Sequence, residues 1–472
     1  MSVRFVLNGR RVQVDRIAPH VSLLEWLRMS GLPGSKEGCA EGECGACAVA
    51  VLREDTRGRA RFEAVNSCLV PLVALQDRQI VTVEGVAAEN GELHPVQRAL
   101  LETGSSQCGY CTPGFVMSLF CEYYRPGRAG YDPEGISGNL CRCTGYRPIA
   151  DAARSLGAPE ANDPRLALLE RAPEPANAFQ HDGDDQRFVR PIRLAAALEH
   201  LGRTPEGVPM TGGTDLMVYS NLRDRRAADV VALDAVAELA HLDVRPGELV
   251  IGAGLPLSEL QERLRLELPT EFPLLADMLR LFASRLIRNR ATLGGNLATA
   301  SPIGDSAPAL LALDARVTLV SAEAERTLPL HGFFTGYRKT ALAQGELIRS
   351  IHLPRPAPKQ QRFYKVSKRE LDDISTVVAA FTLELDSEGS VSELRVAYGG
   401  IAQTPVRAEL VEEKARGLPW DQDTLALLAR QLETLGSPIS DHRGSAAYRR
   451  ALIVRLFEKF FVESTARLEA AE

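Results

Sequence analysis

The chain has 472 residues, room for about three domains of ~150 residues, with cores large enough to need no disulfide staples. Lys and Arg number 55 against 61 Asp and Glu, a net charge of -6, and no basic run or aromatic-studded basic face marks nucleic acid as a partner. The N-terminal MSVRFVLNGRRVQVDR lacks the apolar core of a signal peptide, and no stretch reaches the ~18 apolar residues of a membrane span. A soluble, cytoplasmic protein without a membrane partner is expected.

VRFVLNGRRVQV alternates Val3, Phe5 and Leu7 before an Asn8-Gly9 turn, with Val12 and Val14 after it, which predicts a hairpin. SLLEWLRMSGL then carries Leu23, Leu24 and Leu27 on one stripe, with Gly31 to stop the helix. A cysteine-rich loop follows, then strand-like FEAVNSCLV and QIVTVEG, giving a small α+β domain over 1–86. Over 87–157 the texture is helical: PVQRALLETG opens on Pro95 and closes at Gly104, TPGFVMSLFCEYYR opens on Thr112 and Pro113, and a third helix begins near Pro148. The Pro-, Ala- and Asp-rich segment 158–186 reads as a linker with one short helix around Leu166 to Leu169. From 187 to 356, strand-like VPMTGG, DVVAL, ELVIGAG and ARVTLV alternate with helical stretches. The last division, 357–472, holds two strands across a turn in FTLELDSEGSVSELRVAYGGI and amphipathic helices to Leu468.

Nine cysteines at short spacings in a reducing cytosol favour metal or redox chemistry over structural bridges. Cys39, Cys44, Cys47 and Cys68 form C-x4-C-x2-C with a distant fourth, the plant-type [2Fe-2S] spacing. Gly38, Gly42, Gly45 and Ala46 let backbone N–H groups approach bridging sulfides. Zinc ribbons use two short C-x2-C pairs instead. Cys108 and Cys111 in SQCGYCTPGF and Cys141 and Cys143 in NLCRCTGYRP form a second set, which taken alone could hold zinc. Each of its pairs precedes a predicted helix, where free N–H groups favour an anionic cluster. Cys121, inside VMSLFCEYY, reads as a packed core residue.

SCLVPL, QCGYCTPGFVMS and GNLCRCTGYRPI together resemble the iron–sulfur domains of the xanthine dehydrogenase family of molybdenum hydroxylases. The resemblance implies a β-grasp domain holding Cys39, Cys44, Cys47 and Cys68 and a four-helix domain holding Cys108, Cys111, Cys141 and Cys143. It also implies that Gln107 contacts the pterin of a molybdenum cofactor bound mostly by another polypeptide.

No Walker A or Rossmann fingerprint is present; IGAGLPL has Leu257 where the third glycine belongs and reads as an ordinary turn. PMTGGTDLMV, with Gly212, Gly213 and Thr214, and RNRATLGGNLATASPIGD, with Gly294, Gly295 and Asn296, allow close backbone approach and an N–H nest for a pyrophosphate, though either alone could be a tight turn. Together, with FFTGYRKT and FYKVSKRELDDIS, they resemble the flavin domain of the same family, with its vanillyl-alcohol-oxidase-type fold and a C-terminal α+β lobe. By that resemblance Gly212, Gly213, Thr214, Asp215, Thr292, Gly294, Gly295, Asn296 and Asp305 bind FAD, Phe282 lies over the isoalloxazine, and Lys365 is close to the flavin. Tyr337 and Asp372 fall where the family's dehydrogenases receive NAD; a surface aromatic and a solvated charge run are the plain alternative. Glu370 and Leu371 interrupt the basic run that should precede the paired acids, leaving the preference for NAD over oxygen open.

The resemblance covers nearly the whole chain and stops where molybdenum-binding domains would begin. It implies the small, iron–sulfur and FAD subunit of a bacterial enzyme that oxidises hypoxanthine and xanthine to urate, paired with a large molybdenum-binding subunit as a dimer of heterodimers. Electrons would pass from molybdenum through two [2Fe-2S] clusters to FAD and NAD, with no purine-activating residue on this chain. Two other readings stand beside it: an aldehyde or N-heterocycle oxidase of the same family, and a non-redox zinc-binding interaction protein.

Overall fold

The computed structural model describes residues 2–183 and 185–469; Asp184 of the linker and the last three residues of the C-terminal division lie outside them. The architecture is a mixed α+β, multidomain one, and the chain divides into two compact units, 1–238 with 283–291 and 239–282 with 292–472.

In the first unit, β1 (Ser2–Leu7) and β2 (Arg10–Asp15) form the expected hairpin, with Asn8 and Gly9 at φ 50 and 78 in its turn. α1 (Leu23–Met29) is capped by the Ser22 hydroxyl, which accepts from Glu25 N–H, and buries Leu23, Leu24 and Leu27. With β3 (Ala48–Glu54), β4 (Ala60–Asn66) and β5 (Gln79–Val81), the sheet runs in the order β2-β1-β5-β3-β4, β1 and β5 being parallel. The strand-like SCL after Asn66 is a 3-10 turn instead. It carries Cys68 away from the ladder, back toward Cys47.

α2 (Pro95–Glu102) opens with Pro95 in its first turn and a reciprocal cap between His94 and Gln97. α3 (Thr112–Tyr123) is buried from Gly114 through Tyr123, as an apolar helix must be when it is the middle of a bundle. α4 (Arg147–Ser155) lays Ile149, Ala152 and Ala153 on the same core, and α5 (Pro164–Leu169), beyond the boundary drawn at 157, adds Leu166 and Leu169 to it. The linker is therefore strapped down, and it also contains a strand, β6 (Phe179–Asp182), paired with β7 (Arg187–Arg190). FQHD has little intrinsic strand preference; its pairing and the burial of His181 make it one. α6 (Leu194–Arg203), β8 (Gly207–Met210), α7 (Leu216–Arg223) and β9 (Asp229–Ala232) complete a four-stranded sheet, β6-β7-β9-β8. Arg190, fully buried, joins this sheet to the first by donating to the carbonyls of Ala74 and Gln76. Its Nε stands 3.5 Å from Asp234, which Arg78 also engages at 3.1 Å.

The second unit begins with β10 (Leu242–Val244), β11 (Glu248–Gly252), α8 (Leu257–Glu267) and α9 (Pro273–Leu281). The chain then returns to the first unit as α10 (Arg285–Arg288) before α11 (Leu293–Ala298) and α12 (Ser306–Ala312). β12 (Arg316–Val320), β13 (Glu325–Pro329) and β16 (Leu347–Pro354) build the antiparallel sheet β10-β11-β16-β12-β13, with the hairpin β14 (Phe334–Gly336) and β15 (Lys339–Thr340) between them in sequence. β17 (Gln360–Val366), β18 (Val377–Leu385), β19 (Val391–Gly399) and β20 (Val406–Arg407) form a second antiparallel sheet, and β18 and β19 are the strands expected across the 386–390 turn. α13 (Glu409–Ala415), α14 (Gln422–Leu432) and α15 (Ala446–Glu469) cover it. Phe381, Tyr398, Trp420, Phe457 and Phe460 meet in that core, each worth roughly 2 kcal/mol of burial. No described helix is long and apolar enough to cross a membrane.

Candidate cluster and flavin sites

The first cysteine set is carried by the loop between α1 and β3 and by the turn after β4. Within the loop the neighbouring Cys44 pulls the Cys39 thiol down to about 5, while Cys44 is pushed up. Cys47 and Cys68 form a second pair, Sγ to Sγ 3.4 Å, with the Cys47 thiol lowered and the Cys68 thiol raised by the bond they share. In the second set Cys141 Sγ lies 3.1 Å from the Thr144 hydroxyl, and burial followed by the neighbouring Cys141 pushes the Cys111 thiol up to about 12. Cys111 is the N-terminal residue before α3, and Cys143 precedes α4 by four positions.

A [2Fe-2S] cluster takes two thiolates on each iron, whereas an all-cysteine zinc site gathers four around one ion. The close Cys47–Cys68 pair suits the first. Cys121 stands apart, buried on α3, its thiol raised well above the ordinary range by burial.

Close packing requires two glycines of the first loop. A Cβ on Gly38 would lie 2.8 Å from Cys44 Sγ, so that glycine makes room for the Cys44 side chain. Gly45, at φ 63, instead faces the Gly138 carbonyl, which a Cβ would meet at 2.1 Å. Its job is to let the loop lie against the helical domain's backbone. Two asparagines that sequence reasoning passed over hold this packing: Asn66 donates to the Gly42 carbonyl at 2.8 Å and Asn139 to the Gly45 carbonyl at 3.1 Å. Leu140 N–H donates to the Cys44 carbonyl at 2.9 Å, so one hydrogen bond joins the backbone of a first-set cysteine to the residue before Cys141. Asn139 sits in the GNLCRC motif, which was the available signal; Asn66 had none beyond lying two residues from Cys68. Gln107, Cys108 and Cys143 are exposed.

The first flavin loop belongs to the first unit. Gly212 has no room for a side chain because the Arg290 carbonyl would be 2.0 Å from its Cβ, and Arg290 Nε donates to the Gly212 carbonyl at 2.9 Å. Gly213 takes φ 76. The Gly213 and Asp215 carbonyls accept from Met217 and Tyr219 and so start α7. Among the described residues the N–H groups of Gly212, Gly213 and Thr214 donate to no protein acceptor, which leaves an N–H nest for an anionic group.

The second loop belongs to the second unit and its amides are already used. Gly294 N–H donates to Ala253 O, Gly295 N–H to the Thr292 hydroxyl and Asn296 N–H to Thr292 O. The nest expected of this glycine pair is closed by α11's own cap. What remains is side-chain chemistry: Asn296 Oδ1 accepts from Ser306, and Asp305 Oδ2 lies 2.8 Å from Lys365 Nζ. Lys365 also donates to Leu281 O at 2.9 Å, next to buried Phe282, and Ser375 donates to Asp305 Oδ1 at 2.5 Å. Sequence reasoning did not single out Ser375, which ends the FYKVSKRELDDIS stretch but carries no motif of its own. Tyr337 is 58% exposed on the β14–β15 hairpin, while Asp372, at φ 53, is buried. The solvated charge run considered for Asp372 is thus not what the fold makes of it.

Four family models match the chain. Residues 5–73 match the 2Fe-2S iron-sulfur cluster binding domain and 82–154 the [2Fe-2S] binding domain. Residues 179–356 match the FAD binding domain in molybdopterin dehydrogenase, and 362–464 the CO dehydrogenase flavoprotein C-terminal domain. The chain is 33% identical to a xanthine dehydrogenase of Emericella nidulans, over 99% of itself and 39% of that protein. It is also 33% identical to a xanthine dehydrogenase of Drosophila subobscura, again over 99% of itself and 39% of the relative. It thus spans about two-fifths of the length of these relatives. A carbon monoxide dehydrogenase structure from Hydrogenophaga pseudoflava matches with a TM-score of 0.54 and 26% identity, over 58% of this chain and 94% of the other. Quinoline 2-oxidoreductase from Pseudomonas putida 86 matches with a TM-score of 0.53 and 25% identity, over 58% of this chain and 94% of the other. With its two cluster-binding domains, its FAD-binding domain and its flavoprotein C-terminal domain, the chain belongs to the molybdenum hydroxylase family as an electron-transfer member.

Proposed function

We propose that this chain is the electron-transfer subunit of a xanthine dehydrogenase, carrying electrons released at a molybdenum centre on a partner subunit through two [2Fe-2S] clusters to FAD and on to NAD. When bound, the clusters pass electrons singly and the flavin collects two. The observation that carries the reading is the pair of four-cysteine sets, the first drawn together by the 3.4 Å contact between Cys47 and Cys68 and joined to the second by the Leu140 N–H bond to the Cys44 carbonyl. Cys39, Cys44, Cys47 and Cys68 are the proposed ligands in the module drawn at 1–86. Cys108, Cys111, Cys141 and Cys143 are those in the module drawn at 87–157.

For FAD, the proposed residues are Gly212, Gly213, Thr214 and Asp215 in the first unit. In the second they are Phe282, Thr292, Gly294, Gly295, Asn296, Asp305 and Lys365. The unengaged amides of Gly212 to Thr214 suit a diphosphate. Thr292 and the two later glycines serve by shaping α11, since their own polar groups are taken. Tyr337 is the proposed NAD contact; Asp372 contributes through the backbone turn it occupies, since its side chain is buried. Exposed Gln107, beside exposed Cys108, is the proposed contact to the partner's pterin. A cytoplasmic dimer of heterodimers is the proposed assembly.

The likeness to carbon monoxide dehydrogenase and quinoline 2-oxidoreductase structures supports a second reading, in which the same relay serves another oxidised substrate. Co-expression with a large molybdenum-binding subunit and steady-state assays with xanthine, an aldehyde and quinoline, each with NAD or oxygen, separate the two. NADH formation with xanthine supports the first reading. Turnover of only another substrate supports the second, and failure to co-purify with molybdenum contradicts both.

A further inference from the structure

We propose that Asn221 is a positioning residue for the iron–sulfur centre of the first cysteine set, and that it acts from the helix that leads out of the first flavin loop. This inference rests on the reading of Cys39, Cys44, Cys47 and Cys68 as cluster ligands and of Gly212 to Thr214 as a flavin-binding turn.

Asn221 lies on α7 and its Nδ2 donates twice, to the Ala40 carbonyl at 2.8 Å and to the Cys68 carbonyl at 2.9 Å. Ala40 immediately follows Cys39, and Cys68 is the distant ligand. A single side-chain amide therefore ties together the two arms of the chain that must close around the cluster, using both of its hydrogens. Ala40 has φ 57, a left-handed conformation that non-glycine residues rarely adopt. Tethering its carbonyl holds that conformation in place, and with it the direction of the following N–H groups. α7 reinforces the hold: Met217 and Val218 pack in one apolar cluster with Cys47, Cys68 and Leu69.

The start of the same helix is set by the flavin loop. Gly213 and Asp215 supply the first carbonyls of α7, so a ligand that orders the Gly212–Thr214 amides also fixes the helix carrying Asn221. Retention of the first cluster is then linked to flavin occupancy, while the second cluster, held by Cys108, Cys111, Cys141 and Cys143, is not.

The test follows loss of each reduced cluster's EPR signal under an iron chelator, in protein with FAD and after FAD removal, for wild type, Asn221→Ala and Asn221→Ala with Ala40→Gly. In wild type, flavin removal speeds loss of the first cluster by about fivefold to tenfold, the scale of one or two hydrogen bonds, and leaves the second unchanged. Asn221→Ala loses the first cluster at the fast rate with or without FAD. Adding Ala40→Gly, which removes the left-handed strain, slows the loss again. Wild-type rates in Asn221→Ala, equal loss of both clusters, or a wild type indifferent to flavin would each overturn the inference. Isolated wild type without iron and sulfide would instead sink the functional reading beneath it.

Discussion

Lys365 Nζ lies 2.8 Å from Asp305 Oδ2 with the two side chains 2% and 10% exposed, and Ser375 and Leu281 complete their hydrogen bonds. Such a pair is costly to break because the surviving charge stays buried. Lys365→Met should lower unfolding stability by about 3–5 kcal/mol, read by urea denaturation of the full chain. Lys365→Met combined with Asp305→Leu should recover most of that loss. Equal instability of the single and double variants would show that the pair is not the source.

His94 provides a pH signature. Its Nδ1 accepts from Val96 N–H and its Nε2 faces Tyr124, whose hydroxyl donates to Asp163, an arrangement that needs the neutral ring. Burial, then the nearby Arg165 charge, lowers its pKa from 6.5 to about 4. The unfolded chain therefore takes up a proton near pH 6.5 that the folded chain refuses until about pH 4. This contribution is intact above pH 6.5 and falls as pH drops through that window, by ~3 kcal/mol in all. Denaturation at about pH 7 and about pH 5 should show the loss, and His94→Asn should flatten it.

Gly45 tests the packing of the first cysteine loop. Any Cβ there meets the Gly138 carbonyl, at a backbone angle that itself disfavours side chains. Gly45→Ala should cost at least ~1–2 kcal/mol from the conformation alone and should reduce iron content in the first cluster. Gly104→Ala, at φ 64 but with nothing near its Cβ, separates the conformational part from the steric one.

Much of the fold could be read directly from residue patterns that act locally. The Asn8-Gly9 turn, the Leu23, Leu24 and Leu27 stripe and the Pro95 start are all encoded within a few neighbours. Cysteine spacing likewise exposes the two sets, because a cluster loop is short. What escaped was set at long range. FQHD becomes β6 only because β7 pairs with it, and Gly212 is a glycine because Arg290 passes beside it. The asparagine bonds to Gly42, Gly45, Ala40 and Cys68 join residues as many as 181 apart, which no local pattern announces. The closed amides at Gly294 and Gly295 show the opposite failure, a motif whose glycines serve helix capping and packing on Ala253.

Cys121 separates ligand from core. Cys121→Ala should keep both clusters and cost about 1 kcal/mol of stability as a small buried deletion. Cys44→Ser and Cys141→Ser should each forfeit one cluster while leaving the other, as measured by iron and acid-labile sulfide. A Cys121→Ala protein without iron would move that residue into the ligand set.

The most direct test of the relay is the iron, acid-labile sulfide, zinc and flavin content of the purified chain, with its visible spectrum before and after anaerobic reduction. About four iron, four sulfide and one FAD per chain, bleaching on reduction, is the predicted result. Stoichiometric zinc without flavin, in folded protein, would contradict it and make the paired thiols a structural metal framework.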